Sequence, residues 1–208
     1  MARTYTCGCH ASAEAIDAGC NHVVRAYKYE VIIMQSPSEN AHALELIDNG
    51  FLEYAASSRV NDLEAGLKNS FDIYDTDNFR IAHIDAEELA EFSFDFFLPN
   101  LNEVLAKRQF ELLVSKLNED DSSFDIVLNG NIITLYDEED LRSWAFWDVA
   151  SRVFFRKVNK LLVAKGLDEQ FYLFYSGNDL QAMLLTDGQY NIIADYYKDV
   201  PNEVPYKP

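Results

Sequence analysis

Cys7, Cys9, Cys20 and His22 lie within one short stretch, TCGCHASAEAIDAGCNH, that holds all three cysteines of the chain and two of its four histidines. The order C-x-C, ten residues, C-x-H is a formal set of four soft ligands, the set that tetrahedral zinc takes in structural sites and, with one position open, in catalytic ones. Gly8 would let the first pair wrap a single ion. Two other states fit the same residue types: a redox-active C-x-C pair, or partly buried thiols with no ligand. Geometry sets the test. ASAEAIDAG reads as a short helix opened by Ser12 and closed by Gly19, and eight helical residues span about 12 Å. Zinc holds each sulfur at about 2.3 Å, so a straight helix and a shared ion compete.

Other candidates are weaker. Asp75, Thr76 and Asp77 have the spacing of paired aspartates that hold a divalent ion, but they fall where a turn is expected, and Asp and Asn are ordinary turn residues. The segment lacks the glycine and distal glutamate of a calcium loop. His42 and His83 stand alone on apolar-rich elements and read as packed histidines. SRVFFRKVNKLLVAKG, from Ser151 to Gly166, has five bases and no acid. Arg152, Arg156 and Lys160 are four apart and share a helix face. Phosphate or membrane binding fits that face, but pairing with the acidic middle of the chain, or of a second copy in a homo-oligomer, fits it better. Trp144 and Trp147 are read as core residues at the start of this helix; an exposed tryptophan there would anchor an interface. No dinucleotide fingerprint, P-loop, zinc-protease helix, nucleophile elbow or C-x-x-C occurs, so an enzyme is not favoured.

The charge is the strongest global signal. The net value is -18 over 208 residues, and residues 41–150 carry 24 acids against 7 bases while residues 151–208 carry 7 of each. A field of that sign repels nucleic acid and anionic membrane and attracts basic proteins. Hydrophobic content of 49% with 13% aromatics can fill a core. MARTYTCGCH lacks the features of a secretory signal, and an odd, small cysteine count fits a reducing compartment. A soluble cytoplasmic protein is expected.

Alternation and turn chemistry mark hairpins at residues 71–84, 124–136 and 171–186, a further strand after Thr186, and a strand at residues 27–34. Helical spacing covers residues 38–56, 86–117 and 138–165, with Pro99 dividing the second. The fold class is therefore α+β, with antiparallel β-hairpins alternating with helices in one domain over residues 1–208. An N-terminal Cys/His segment takes residues 1–26 and a short tail residues 200–208.

A hairpin-helix repeat is suggested over residues 71–117 and 124–168, since FDI at Phe71 recurs at Phe124 and DAEELAEFSF from Asp85 recurs as DEEDLRSWAF from Asp137. Any hairpin followed by a capped helix would produce a similar match. Asp85 with Glu88, and Asp137 with Asp140, read as N-caps that satisfy orphan amides and complement the helix dipole. The function expected is an acidic protein-binding module, an inhibitor or immunity-type protein that neutralises a basic partner; the alternative is a zinc protein built on the N-terminal cluster.

Overall fold

The structure is a computed structural model that describes residues 37–117 and 124–208. Its centre is an antiparallel sheet of three strands, β1 (Ile81–His83), β5 (Gln170–Phe174) and β6 (Gln181–Leu185), in the order β1-β6-β5. Tyr172 pairs with Met183 across β5 and β6, and Ala82 pairs with Ala182 across β1 and β6. Two runs of four ladder residues, Phe171 to Phe174 and Ala182 to Leu185, are buried. Strands that are apolar at every position must be covered on both faces, and this sheet is.

On one face, Phe171, Leu173, Ala182 and Leu184 share a core with α3 (Ala86–Ala90), α4 (Leu98–Ala106) and α6 (Phe146–Lys165). Along α6 the four-residue spacing of Ala150, Phe154, Val158 and Leu162 forms the buried stripe. On the other face, Tyr172, Phe174, Met183 and Leu185 meet α1 (Pro37–Asp48), α2 (Val60–Ser70) and α7 (Asp187–Tyr196). A second antiparallel sheet, β2 (Val114–Lys116), β3 (Asp125–Leu128) and β4 (Asn131–Thr134), adds Ile126 and Leu128 to the first core. Its hairpin turns at Asn129 and Gly130, with φ of 45° and 77°. Both angles belong to the tight primed turn that Asn-Gly favours.

The hairpins expected at residues 124–136 and 171–186 are present as β3/β4 and β5/β6. The one expected at residues 71–84 is not. Asp75 accepts the Asp77 N–H and starts a 3-10 turn over Thr76–Asn78, and the single strand that follows pairs with β6 instead of folding back on its neighbour. The strand expected after Thr186 is the helix α7. Thr186 and Gln189 close a reciprocal capping box there, at 3.2 and 3.1 Å. Helix α2 was not anticipated. The strand expected at residues 27–34 and the Cys/His segment at residues 1–26 lie outside the described residues.

What recurs at the offset of 52 is the capped turn, not the hairpin. In α3, Asp85 accepts from the amides of Glu87 and Glu88; in α5 (Glu138–Arg142), Asp137 accepts from Glu139 and Asp140. The next amides match one for one. Glu91, Phe92 and Ser93 donate to Glu87, Leu89 and Glu88, while Ser143, Trp144 and Ala145 donate to Glu139, Leu141 and Asp140.

Two buried arginines converge on one carboxylate where β1 and β5 begin. Arg80 Nη1 reaches Glu169 Oε1 at 2.5 Å, and Arg108 Nε reaches Glu169 Oε2 at 2.8 Å. Arg108 Nη2 also donates to Glu169 Oε1 at 3.0 Å, and the other guanidinium donors go to main-chain carbonyls: Arg80 to Phe51, Gly50 and Leu184, and Arg108 to Phe79 and Val104. The Tyr54 ring lies 3.7 Å from the Arg108 guanidinium. Unpaired, such charges would cost several kcal/mol each in the interior, so the triad ties α4, β1 and the start of β5 into one arrangement.

Candidate functional site

Trp144 is the most exposed large apolar residue of the described chain, at 83%. It follows α5, whose residues Glu138, Glu139, Leu141 and Arg142 are exposed and which has no buried residue at all. The short helix persists because Asp137 and Asp140 cap its N-terminus reciprocally, not because it packs. It carries carboxylates at its first three positions and one cation, Arg142, which pairs with Glu138 at 3.2 Å. The local balance is negative, with an indole at its edge.

The backbone at Trp144 makes its exposure unusual. Its φ is 60°, a left-handed conformation that costs a bulky L-residue about 1–2 kcal/mol. The other aromatic residues with positive φ offset that cost by contact. Phe71 is buried and stacked on Tyr196 at 3.8 Å. Phe79 receives Lys107 over its ring at 3.8 Å, and Phe92 packs with Phe94 and Tyr136. Tyr175 donates to Glu203 at 2.6 Å. Among the described residues the Trp144 ring has no such contact.

The Tyr136 hydroxyl donates to the Ala90 carbonyl at 3.0 Å, which joins the end of α3 to the segment entering α5. Burial first, and then the charge of Glu91, push the Tyr136 phenol up, so exposed Glu91 acts on the same region as Asp137 to Asp140. The backbone amides of Asp140 and Glu139 hold the Asp137 carboxyl below its ordinary value, so Asp137 itself keeps its charge in mild acid.

The remaining sequence candidates resolve individually. Cys7, Cys9, Cys20 and His22 lie outside the described residues. The zinc expectation is corrected: among the described residues no group of three or more His, Cys, Asp or Glu could hold a metal ion. Those residues contain no cysteine and only two histidines, and both are engaged elsewhere. His42 Nε2 lies 2.8 Å from Asp195, and His83 Nε2 lies 2.7 Å from the Asn178 carbonyl. Asp75 and Asp77 bind Arg59, at 3.5 and 2.7 Å, rather than an ion.

Trp147 packs against the first core as expected, but its indole N–H is buried with no acceptor among the described residues. The basic face of α6 pairs less with the acidic middle than expected. Arg152 binds Asp148, one turn earlier on the same helix, at 2.8 Å, and Lys157 binds Asn131 at 2.9 Å. Arg156 and Lys160 are exposed and make no ion pair among the described residues. The Arg80–Glu169–Arg108 triad was missed, and no local signal could have found it, because Glu169 is 89 residues from Arg80 and 61 from Arg108.

Among the described residues no helix is long and apolar enough to cross a membrane. No family model, no curated protein and no solved structure matches the chain. Its class is therefore the α+β domain defined by its two antiparallel sheets, and its chemistry has to be read from its own surface.

Proposed function

We propose that this chain is a protein-binding module that captures a basic partner on the surface formed by α5, Glu91 and Trp144, and neutralises that partner by covering its cationic site. The observation that carries the reading is Trp144, held in a left-handed conformation with its ring in solvent. Burial against a partner would supply the missing compensation. Tryptophan is also the side chain that most often dominates an interface. The carboxylates around it supply steering: negative charge accelerates encounter with a cationic protein and disfavours acidic ones. An inhibitor or immunity-type protein works by this combination.

The test is a capture experiment from the native host at low and high salt, run in parallel with native protein, Trp144→Ala and the double variant Glu138→Gln/Glu139→Gln. The expected result is a basic protein retained at low salt by the native chain, released by salt, and lost or at least tenfold reduced with either variant. Retention of the same proteins by all three chains would remove the reading.

A further inference from the structure

A cavity of about 340 Å³ opens beside the C-terminal half of α6, a size at the small end of ligand pockets. The floor is the start of β5, where Phe171 and Tyr172 are buried, and Val163 forms one wall. Three cations stand around it: Arg156, Lys160 and Lys207.

The charge arrangement runs against the composition. Acids outnumber bases 35 to 17 in this chain, yet the charged side chains lining this cavity are all basic. Arg156 and Lys160 make no ion pair among the described residues, although they sit one helical turn apart. Like charges at that spacing disfavour a helix. Gln170, half-buried at the cavity, also leaves its side-chain amide unbonded among the described residues. Lys207 is opposed by Asp187, which lies 3.8 Å from it and accepts the Tyr172 hydroxyl at 2.6 Å. The mouth therefore keeps a net positive charge over an apolar floor.

We propose that this cavity binds a small amphipathic organic anion, with a phosphate or carboxylate head between Arg156 and Lys160 and an apolar body on Phe171, Tyr172 and Val163. A free metabolite and a lipid headgroup share that chemistry. The free ligand is favoured, since a chain of net charge -18 is repelled by an anionic bilayer, whereas a pocket acts within a Debye length of about 8 Å. The cavity is separate from the α5 surface; Phe146 to Arg156 is ten residues of helix, about 15 Å.

The experiment titrates the full isotopically labelled chain with 1-naphthyl phosphate and follows its amide resonances. The expected result is saturable shifts confined to residues 156–163, 170–172 and 207, with inorganic phosphate and neutral 1-naphthol each binding at least tenfold more weakly. Arg156→Gln/Lys160→Gln and, independently, Val163→Glu should each weaken the naphthyl phosphate by tenfold or more while leaving the rest of the spectrum in place. Equal affinity for 1-naphthol, unchanged binding in both variants, or binding to phosphatidylglycerol vesicles without binding to naphthyl phosphate would each overturn the proposal.

Discussion

Phe92 and Trp144 occupy equivalent positions in two turns with the same hydrogen-bond pattern, at φ of 64° and 60°, yet Phe92 packs on Phe94 and Tyr136 while Trp144 is 83% exposed. Their neighbours diverge the same way: Leu89 is fully buried and Leu141 is exposed. The turn thus does not require its aromatic residue to be either in or out of the core. Burial of Phe92 is set by α3 lying on the core, and exposure of Trp144 by α5 standing away from it.

This contrast makes a stability prediction. Trp144→Gly removes a side chain with little burial and relieves the left-handed backbone, so thermal unfolding should show no loss of stability and a gain of up to about 1 kcal/mol. Phe92→Ala, which empties a packed position, should lose about 1–3 kcal/mol. Equal losses in the two variants would mean that Trp144 supports the fold.

The buried triad predicts the response to acid. Burial pushes the Glu169 carboxyl up, but the hydrogen bond and charge of Arg108, with those of Arg80, outweigh it and hold the group below its ordinary value. A carboxylate lowered in the folded state contributes its full stability above the unfolded value of about 4.3 and loses it as pH falls through the folded value. Glu169→Gln should cost about 3–5 kcal/mol near neutrality, because two buried guanidiniums lose their counter-charge. Denaturant titrations at pH 7 and pH 3 should show that the gap between native protein and this variant narrows in acid.

The C-terminal segment predicts the effect of truncation. Tyr206 exchanges two main-chain hydrogen bonds of 2.9 Å with Leu173, so it covers the β5 edge of the central sheet, and its hydroxyl donates to the Tyr175 carbonyl at 2.8 Å. Removing residues 201–208 should cost about 2–3 kcal/mol from these bonds. It also bares a strand edge that can pair with another chain. Light scattering during thermal unfolding should therefore report earlier aggregation of the truncated protein.

Arg156→Gln/Lys160→Gln should leave the fold unharmed, with a gain of about 0.2–0.5 kcal/mol at low ionic strength that disappears in salt. Chemical denaturation at two salt concentrations would measure it, and a marked loss would show that these cations have partners within the fold.

Trp147→Phe removes an indole N–H that is buried with no acceptor among the described residues. The orphaned donor costs about 1–3 kcal/mol, which offsets much of the packing area lost, so the variant should stay within about 1 kcal/mol of the native chain. A larger loss in urea titration would mean that the N–H has an acceptor in solution.

Features written in adjacent residues were legible before the fold was known. Asn129-Gly130 demands a tight turn, the apolar runs on either side of Ser176-Gly177-Asn178 form a hairpin, and Asp85 and Asp137 cap helices, because each needs only groups a few residues away. The hairpin at residues 71–84 and the strand after Thr186 were misread for a related reason. Short apolar runs suit either period, and the deciding contacts were the pairing of β1 with β6 and the Thr186–Gln189 cap. What the amino-acid order determined by itself was composition, charge, capping and turns. Tertiary structure alone decided that Glu169 would meet Arg80 and Arg108, that Arg156 and Lys160 would line a cavity with no ion pair among the described residues, and that Trp144 would face water. Each of these depends on which surfaces the packed helices cover, and burial is a property of the assembled layers rather than of any one segment.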